Sequence, residues 1–125
     1  MKYLCLVYLD QENWNACPDH LCGGYAQDLQ EKGHLVAAEP LHPTHTATTV
    51  RVRNGQVSLT DGPFAETKEM LAGFLLIDAK DLNEAIRLAS GIPAAKYGSI
   101  EVRPVRTLQF TQEESPNEIP TEAGI

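Results

Sequence analysis

Asn54-Gly55 fixes the middle of this chain. The residues on either side alternate, Thr48-Thr49-Val50-Arg51-Val52-Arg53 before the pair and Gln56-Val57-Ser58-Leu59-Thr60 after it. A two-residue type I′ turn needs positive φ at both positions, and Asn-Gly adopts it at little cost. A β-hairpin over residues 48–60 therefore divides the chain, and the two flanks have to be read as pieces that fold around it.

The first flank opens with Tyr3-Leu4-Cys5-Leu6-Val7-Tyr8-Leu9, continuously apolar and aromatic, as a strand covered on both faces would be. Pro18 suits the first turn of a helix and Asp19 complements its dipole. Leu21, Tyr25 and Leu29 then recur on one stripe, and Gly33 ends the helix. Gly23-Gly24 inside it implies either a later start or a close approach to its backbone. Residues 34–39 form a second strand stopped by Pro40, and residues 41–46 a loop.

The second flank repeats the order. Asp61-Gly62-Pro63-Phe64 makes a tight turn, residues 65–72 read as a short helix, and Gly73-Phe74-Leu75-Leu76-Ile77-Asp78 as a central apolar strand. Asp81 and Glu84 have the capping-box spacing of a second helix, with Leu82, Ala85, Ile86 and Ala89 as its buried stripe. Gly91 and Pro93 close that helix, and residues 99–105 are the last strand. Two split βαβ halves with an inserted hairpin give an α+β, ferredoxin-like fold with both helices on one face of the sheet. The apolar second face asks for cover, which a homodimer packed sheet to sheet would provide, forming a dimeric α/β barrel with a cavity between the sheets.

Composition narrows the partners. The chain of 125 residues carries a net charge of −7, and Glu113, Glu114, Glu118 and Glu122 account for −4 of it, leaving −3 on residues 1–110. No basic stripe is present, so direct nucleic-acid binding is not expected. No apolar run is long enough to span a bilayer, and the first strand lacks a signal-peptide cleavage site, which makes the cytoplasm the expected location. Residues 1–110 read as one domain, and residues 111–125 as an acidic, flexible tail.

Cys5, Cys17 and Cys22 are an odd set, so reduced thiols are expected. Neither Cys17, His20 and Cys22 nor Glu39, His42 and His45 has the spacing of a firm metal site. Phosphate loops, nucleophile elbows and haem motifs are absent, and no cofactor is expected. For the Asp61-Gly62-Pro63-Phe64 turn two readings stand. In one, Asp61 bonds the turn's own backbone and Phe64 plugs into apolar surface. In the other, the turn rims a cavity, with Asp61 and Glu66 as carboxylates and Lys68 as a cation. Arg103 and Glu39 face a similar choice between solvent and the intersheet cavity, where Arg103 would hold a carboxylate.

The runs Ala47-Thr48-Thr49-Val50-Arg51-Val52-Arg53-Asn54-Gly55, Thr60-Asp61-Gly62-Pro63-Phe64-Ala65-Glu66-Thr67-Lys68-Glu69 and Gly98-Ser99-Ile100-Glu101-Val102-Arg103-Pro104 resemble the DGPF branch of the YCII-related proteins, a family of small bacterial proteins. The likeness extends over residues 1–106 and implies a dimeric α+β barrel. A His on the first helix and an Asp near its end form the proposed catalytic pair of that family. Aligned on Gly33, those positions hold Cys22 and Glu31, and His20 stands about 200° round the helix from Cys22. The resemblance thus carries over no complete pair.

Two functions follow. The first is binding of a small acidic or polar molecule in the homodimer cavity, with cofactor-independent acid–base catalysis by His20, Asp61 and Glu66 and substrate contacts from Arg103, Glu39, Phe64 and Lys68. The second is a non-catalytic accessory module. DGPF relatives are encoded beside, or fused to, extracytoplasmic-function sigma factors, so the resemblance implies a sigma factor or another protein as partner.

Overall fold

Along strand β1 (Lys2–Asp10) burial alternates: Tyr3, Cys5, Val7 and Leu9 are buried, while Leu4, Leu6 and Tyr8 are half-buried. The alternation expresses the two-residue period of a strand with unlike faces. The computed structural model describes residues 1–110, and the tail expected over residues 111–125 lies outside them. Helix α1 (Asp19–Glu31), strand β2 (Leu35–Pro40), the hairpin strands β3 (Thr48–Arg53) and β4 (Gln56–Asp61), strand β5 (Glu69–Asp78), helix α2 (Leu82–Ser90) and strand β6 (Ser99–Pro104) follow. The main sheet is antiparallel in the order β2-β5-β1-β6, and β3-β4 forms a sheet of its own. With the hairpin set aside, this is the ferredoxin-like split βαβ arrangement, and the fold is α+β as expected.

One hydrophobic cluster joins the sheet to the helices. Tyr3, Cys5, Val7, Leu9 and Ile77 from the sheet meet Leu29 of α1, Ala85, Leu88 and Ala89 of α2, and Ile92 and Ala94 of the turn after it. Helix α1 begins where Pro18 and Asp19 place it, and Gly33, at φ +80°, ends it. Of its expected stripe, Leu29 is buried and Tyr25 packs beside the core, whereas Leu21 is exposed. Helix α2 is capped by Asp81, whose Oδ1 accepts the Glu84 N–H at 2.9 Å. Glu84 reaches back in turn to the Lys80 N–H at 2.9 Å, and that bond holds its carboxyl below the usual range.

Several expectations need correction. Leu82 and Ile86 are 49% and 50% exposed, and α2 buries Leu88 with Ala85 and Ala89 instead. The helix contacts the core along the row that continues to Ile92. Residues 65–72 contain no helix: β5 starts at Glu69, because Glu69, Met70 and Leu71 pair with Asp10, Leu9 and Tyr8. The register shifts between Val7 and Tyr8, leaving Ala72 as an extra residue that bends β5 there.

The hairpin forms at Asn54 (φ +52°) and Gly55 (φ +76°), with Arg53 opposite Gln56. Val50 faces Leu59 and Val52 faces Val57, so all four share one side, and they are 56–67% exposed. The turn at its base departs from the first of its two readings. The Gly62 N–H donates to Ala47 O at 2.7 Å, and Thr49 Oγ1 donates to Gly62 O at 2.8 Å. Backbone and Thr49 thus hold the turn without the Asp61 carboxylate, and Phe64 stands 79% exposed rather than plugged into apolar surface.

Cys5 is fully buried at the centre of the core, and burial pushes its thiol from 9.0 up to about 11. A raised acid favours folding while it stays neutral. The contribution is complete below pH 9 and is lost as pH climbs toward 11, because the unfolded chain ionises first. Urea unfolding across that window should show a fall on the order of 2 kcal/mol, and Cys5→Ala, though less stable at pH 7, should show a shallower slope.

Candidate functional site

Between α1 and the sheet lies a cleft of about 750 Å³. Its floor is Val7 and Leu9 of β1 with Leu75 of β5, and its far end is Ile92 and Ala94. Helix α1 contributes Cys22, Gly23, Tyr25 and Ala26, while Trp14, Asn15 and Cys17 come from the link that follows β1. The β2 end supplies Ala38 and Glu39.

Local causes keep this space open. Tyr25 is drawn to one side, where its hydroxyl donates to Leu88 O at 2.5 Å. Gly91 makes room for the phenol, since a Cβ there would run into Tyr25 Oη. At Gly73 a Cβ would come within 2.8 Å of Glu39 O, so only glycine lets β2 pair closely with β5 at the cleft's edge. The expectation of a close approach at Gly23-Gly24 is reversed: a Cβ at either would meet nothing within 4 Å. Gly23 instead leaves helix backbone bare on the cleft wall.

The lining is mostly apolar, with Trp14 and Tyr25 as flat surfaces. Asn15 and Asp19 stand along it with side chains that make no hydrogen bond or ion pair among the described residues, whereas Glu39, in register with Phe74, borders it from the other face of the sheet. A carboxylate in that state accepts donors from a ligand, and the amide serves in either role. Cys17 and Cys22 are joined as a disulfide, with Cα atoms 6.6 Å apart, which corrects the expectation of reduced thiols. Folding brings together a pair whose proximity three unassigned cysteines do not disclose.

The residues singled out in the sequence fall in separate places. Glu39 lines the cleft, and His20 follows Asp19 in the exposed first turn of α1. Glu66 and Lys68 meet Asp10, Glu12 and Thr44 in a second, polar cleft of about 520 Å³. Asp61 and Phe64 are exposed beside the hairpin base. Arg103 lies opposite Leu4 on the sheet face turned away from the helices. Its Nε is 3.9 Å from Glu101 Oε2. On that face Leu4, Leu6, Phe74 and Leu76 form an apolar centre by register, with Glu39 on one edge strand and Glu101 and Arg103 on the other. Tyr8 belongs to it too, and its phenol is raised above 10, first by burial and then by the Glu101 carboxylate, with Arg103 pulling the other way. Among the described residues no cluster of His, Cys, Asp and Glu could hold a metal ion. None of their helices is long and apolar enough to cross a membrane.

Sequence comparison meets this geometry with a match to the YCII-related domain over residues 1–109. The chain belongs to the YCII-related family. This YCII-related protein is 42% identical over 130 residues to the uncharacterized protein R00369 of Rhizobium meliloti (strain 1021), a match covering 97% of the chain and all of that relative. Among solved structures it is similar to 5-chloro-2-hydroxyhydroquinone dehydrochlorinase (TftG) from Burkholderia phenoliruptrix AC1100, in complex with 2,5-dihydroxybenzoquinone. That likeness has a TM-score of 0.52 at 16% identity and covers 85% of this chain and 94% of the other. It shows a shared fold. The position where the family resemblance sets its catalytic His, here Cys22, lines the cleft, whereas Glu31 does not.

Reasoning from sequence missed the cleft, because its wall residues come from five separate stretches with no common spacing. Gly23-Gly24 was its one visible trace. Because Gly24 sits mid-helix with open space beside it, Gly24→Ala should raise stability by roughly 0.5–1 kcal/mol, read as a higher urea midpoint at unchanged m-value.

Proposed function

We propose that this protein binds a small, flat organic molecule bearing hydroxyl or amino groups in the cleft between α1 and the sheet. The cleft itself carries the reading: about 750 Å³, within the range of small-molecule sites, with aromatic walls and the Asn15 and Asp19 side chains, which bond nothing else among the described residues. Such a lining buries an aromatic body and accepts hydrogen bonds from its substituents at Asp19 and Asn15. TftG, which shares the fold, is an enzyme whose structure contains 2,5-dihydroxybenzoquinone, a molecule of this chemical kind. His20, next to Asp19 on α1, is the candidate general acid or base on this side of the sheet. The run from Thr60 to Glu69 is the basis for assigning the chain to the DGPF branch, and nothing found favours the accessory reading with a sigma-factor partner.

Calorimetric titration with hydroxylated aromatics and quinones, 2,5-dihydroxybenzoquinone first, tests the proposal. Saturable binding is expected, weakened about tenfold or more in Asp19→Asn by loss of a charged acceptor. Binding untouched by that change and by Ala26→Trp, which fills the cleft, would place the ligand elsewhere. The absence of saturable heat across the series would overturn the reading.

The apolar sheet face also supports a homodimer packed sheet to sheet, with Arg103 and Glu101 at its rim. Sedimentation at micromolar concentration should give about twice 13.7 kDa, and Leu6→Glu, a charge in the middle of that face, should yield the monomer. A monomeric wild type would remove the intersheet cavity.

A further inference from the structure

The disulfide occupies a particular place in the cleft. Cys17 ends the link that follows β1, Cys22 lies in the first turns of α1, and both line the space the ligand would fill. Both are half-buried, open to a small thiol. Cys5 is the opposite case, sealed in the core with a thiol pushed up to about 11, so it stays protonated and takes no part in exchange. Pairing therefore has one outcome. Disulfides that solvent reaches belong to the labile, regulatory class rather than the structural one.

The bond restrains a wall of the site. The link from Gln11 to Cys17 is held by short turns, with Asn13 N–H to Asp10 O at 3.2 Å, Trp14 N–H to Gln11 O at 3.4 Å and Ala16 N–H to Asn13 O at 3.0 Å. These bonds stay within the link and its junction with β1. Pro18 is already anchored, since its carbonyl accepts the Leu21 and Cys22 N–H groups at 3.0 and 3.2 Å. Trp14 itself packs against the edge of the core, and the disulfide adds the direction in which Cys17 leaves the helix.

We propose that Cys17–Cys22 is a thiol–disulfide site that sets the shape of the cleft: a dithiol reductant opens it, loosens the Trp14 wall and weakens ligand binding. The ligand part of this rests on the proposed function. In the exchange, a thiolate of the dithiol attacks one sulfur of the disulfide, and the other cysteine leaves as a thiolate and takes a proton. The second thiol of the reductant then attacks its own sulfur in the mixed disulfide and frees the remaining cysteine. Two electrons pass to the protein, and the dithiol ends as a cyclic disulfide. The oxidised form holds its wall in place before the ligand arrives and so binds it more tightly.

Trp14 is the chain's single tryptophan and reports on the wall directly. Folded, oxidised protein is treated with dithiothreitol, alkylated with iodoacetamide and mapped by mass spectrometry, while acrylamide quenching of Trp14 is followed in parallel. Alkylation at Cys17 and Cys22 but not Cys5 is expected, with quenching increased roughly twofold as the wall opens locally, and with both reversed by oxidised dithiothreitol. The double variant Cys17→Ser, Cys22→Ser should show the higher quenching with no response to reductant. Labelling that requires unfolding, Trp14 quenching indifferent to reduction, or thiols that refuse to pair under oxidised dithiothreitol would each overturn the proposal. These readouts use no ligand, so failure of the proposed function would leave them intact and visible only in the titrations.

Discussion

Pairing of β1 with β5, from Lys2 opposite Asp78 to Asp10 opposite Glu69, sets the position of nearly every other part of the molecule. Both strands are interior, so each presents one face to the helices and one away from them, and any slip by one residue would exchange the faces. The shift at Val7 and Tyr8 keeps that assignment intact: it absorbs Ala72 and lets Leu71 join Tyr8 on the outer face while Ile77 stays in the core. The floor of the cleft, the seat of α1 and the apolar centre of the outer face all follow from this one ladder.

The parts legible in the sequence were those governed by neighbours along the chain. Asn54-Gly55 specifies its turn through φ alone, and Asp81 with Glu84 specifies the start of α2 through local hydrogen bonds. The order of apolar segments was enough to reach the split βαβ topology. Where a distant partner decides, the sequence misled. Residues 65–72 include helix formers such as Glu66, Lys68, Met70 and Leu71, yet backbone pairing offered by the end of β1 draws Glu69 to Leu71 into the sheet. In α2 the spacing pointed to the stripe of Leu82, Ala85, Ile86 and Ala89, and the placement of Ile92 against the core turns the helix to bury Leu88 instead of Leu82 and Ile86.

The site was less legible for the same reason. A cleft is defined by what is missing between elements, and no spacing along the chain encodes it. Trp14, Tyr25, Ala38 and Leu75 converge only once the sheet has formed. The two cysteines illustrate the point: parity argued against a bond, and a distance of 6.6 Å between Cα atoms argues for it. By register Arg103 and Glu39 stand on the same outer face, on opposite edge strands.

The hairpin stands apart from this economy. It forms its own sheet, is tied at its base through Ala47, Thr49 and Gly62, and makes no extensive contact with another helix or strand among the described residues. Its ladder carries register information without carrying load for the core. Lengthening or shortening it by matched pairs of residues would leave the cleft where it is, which makes this ribbon the segment in which members of such a fold can diverge most freely in length.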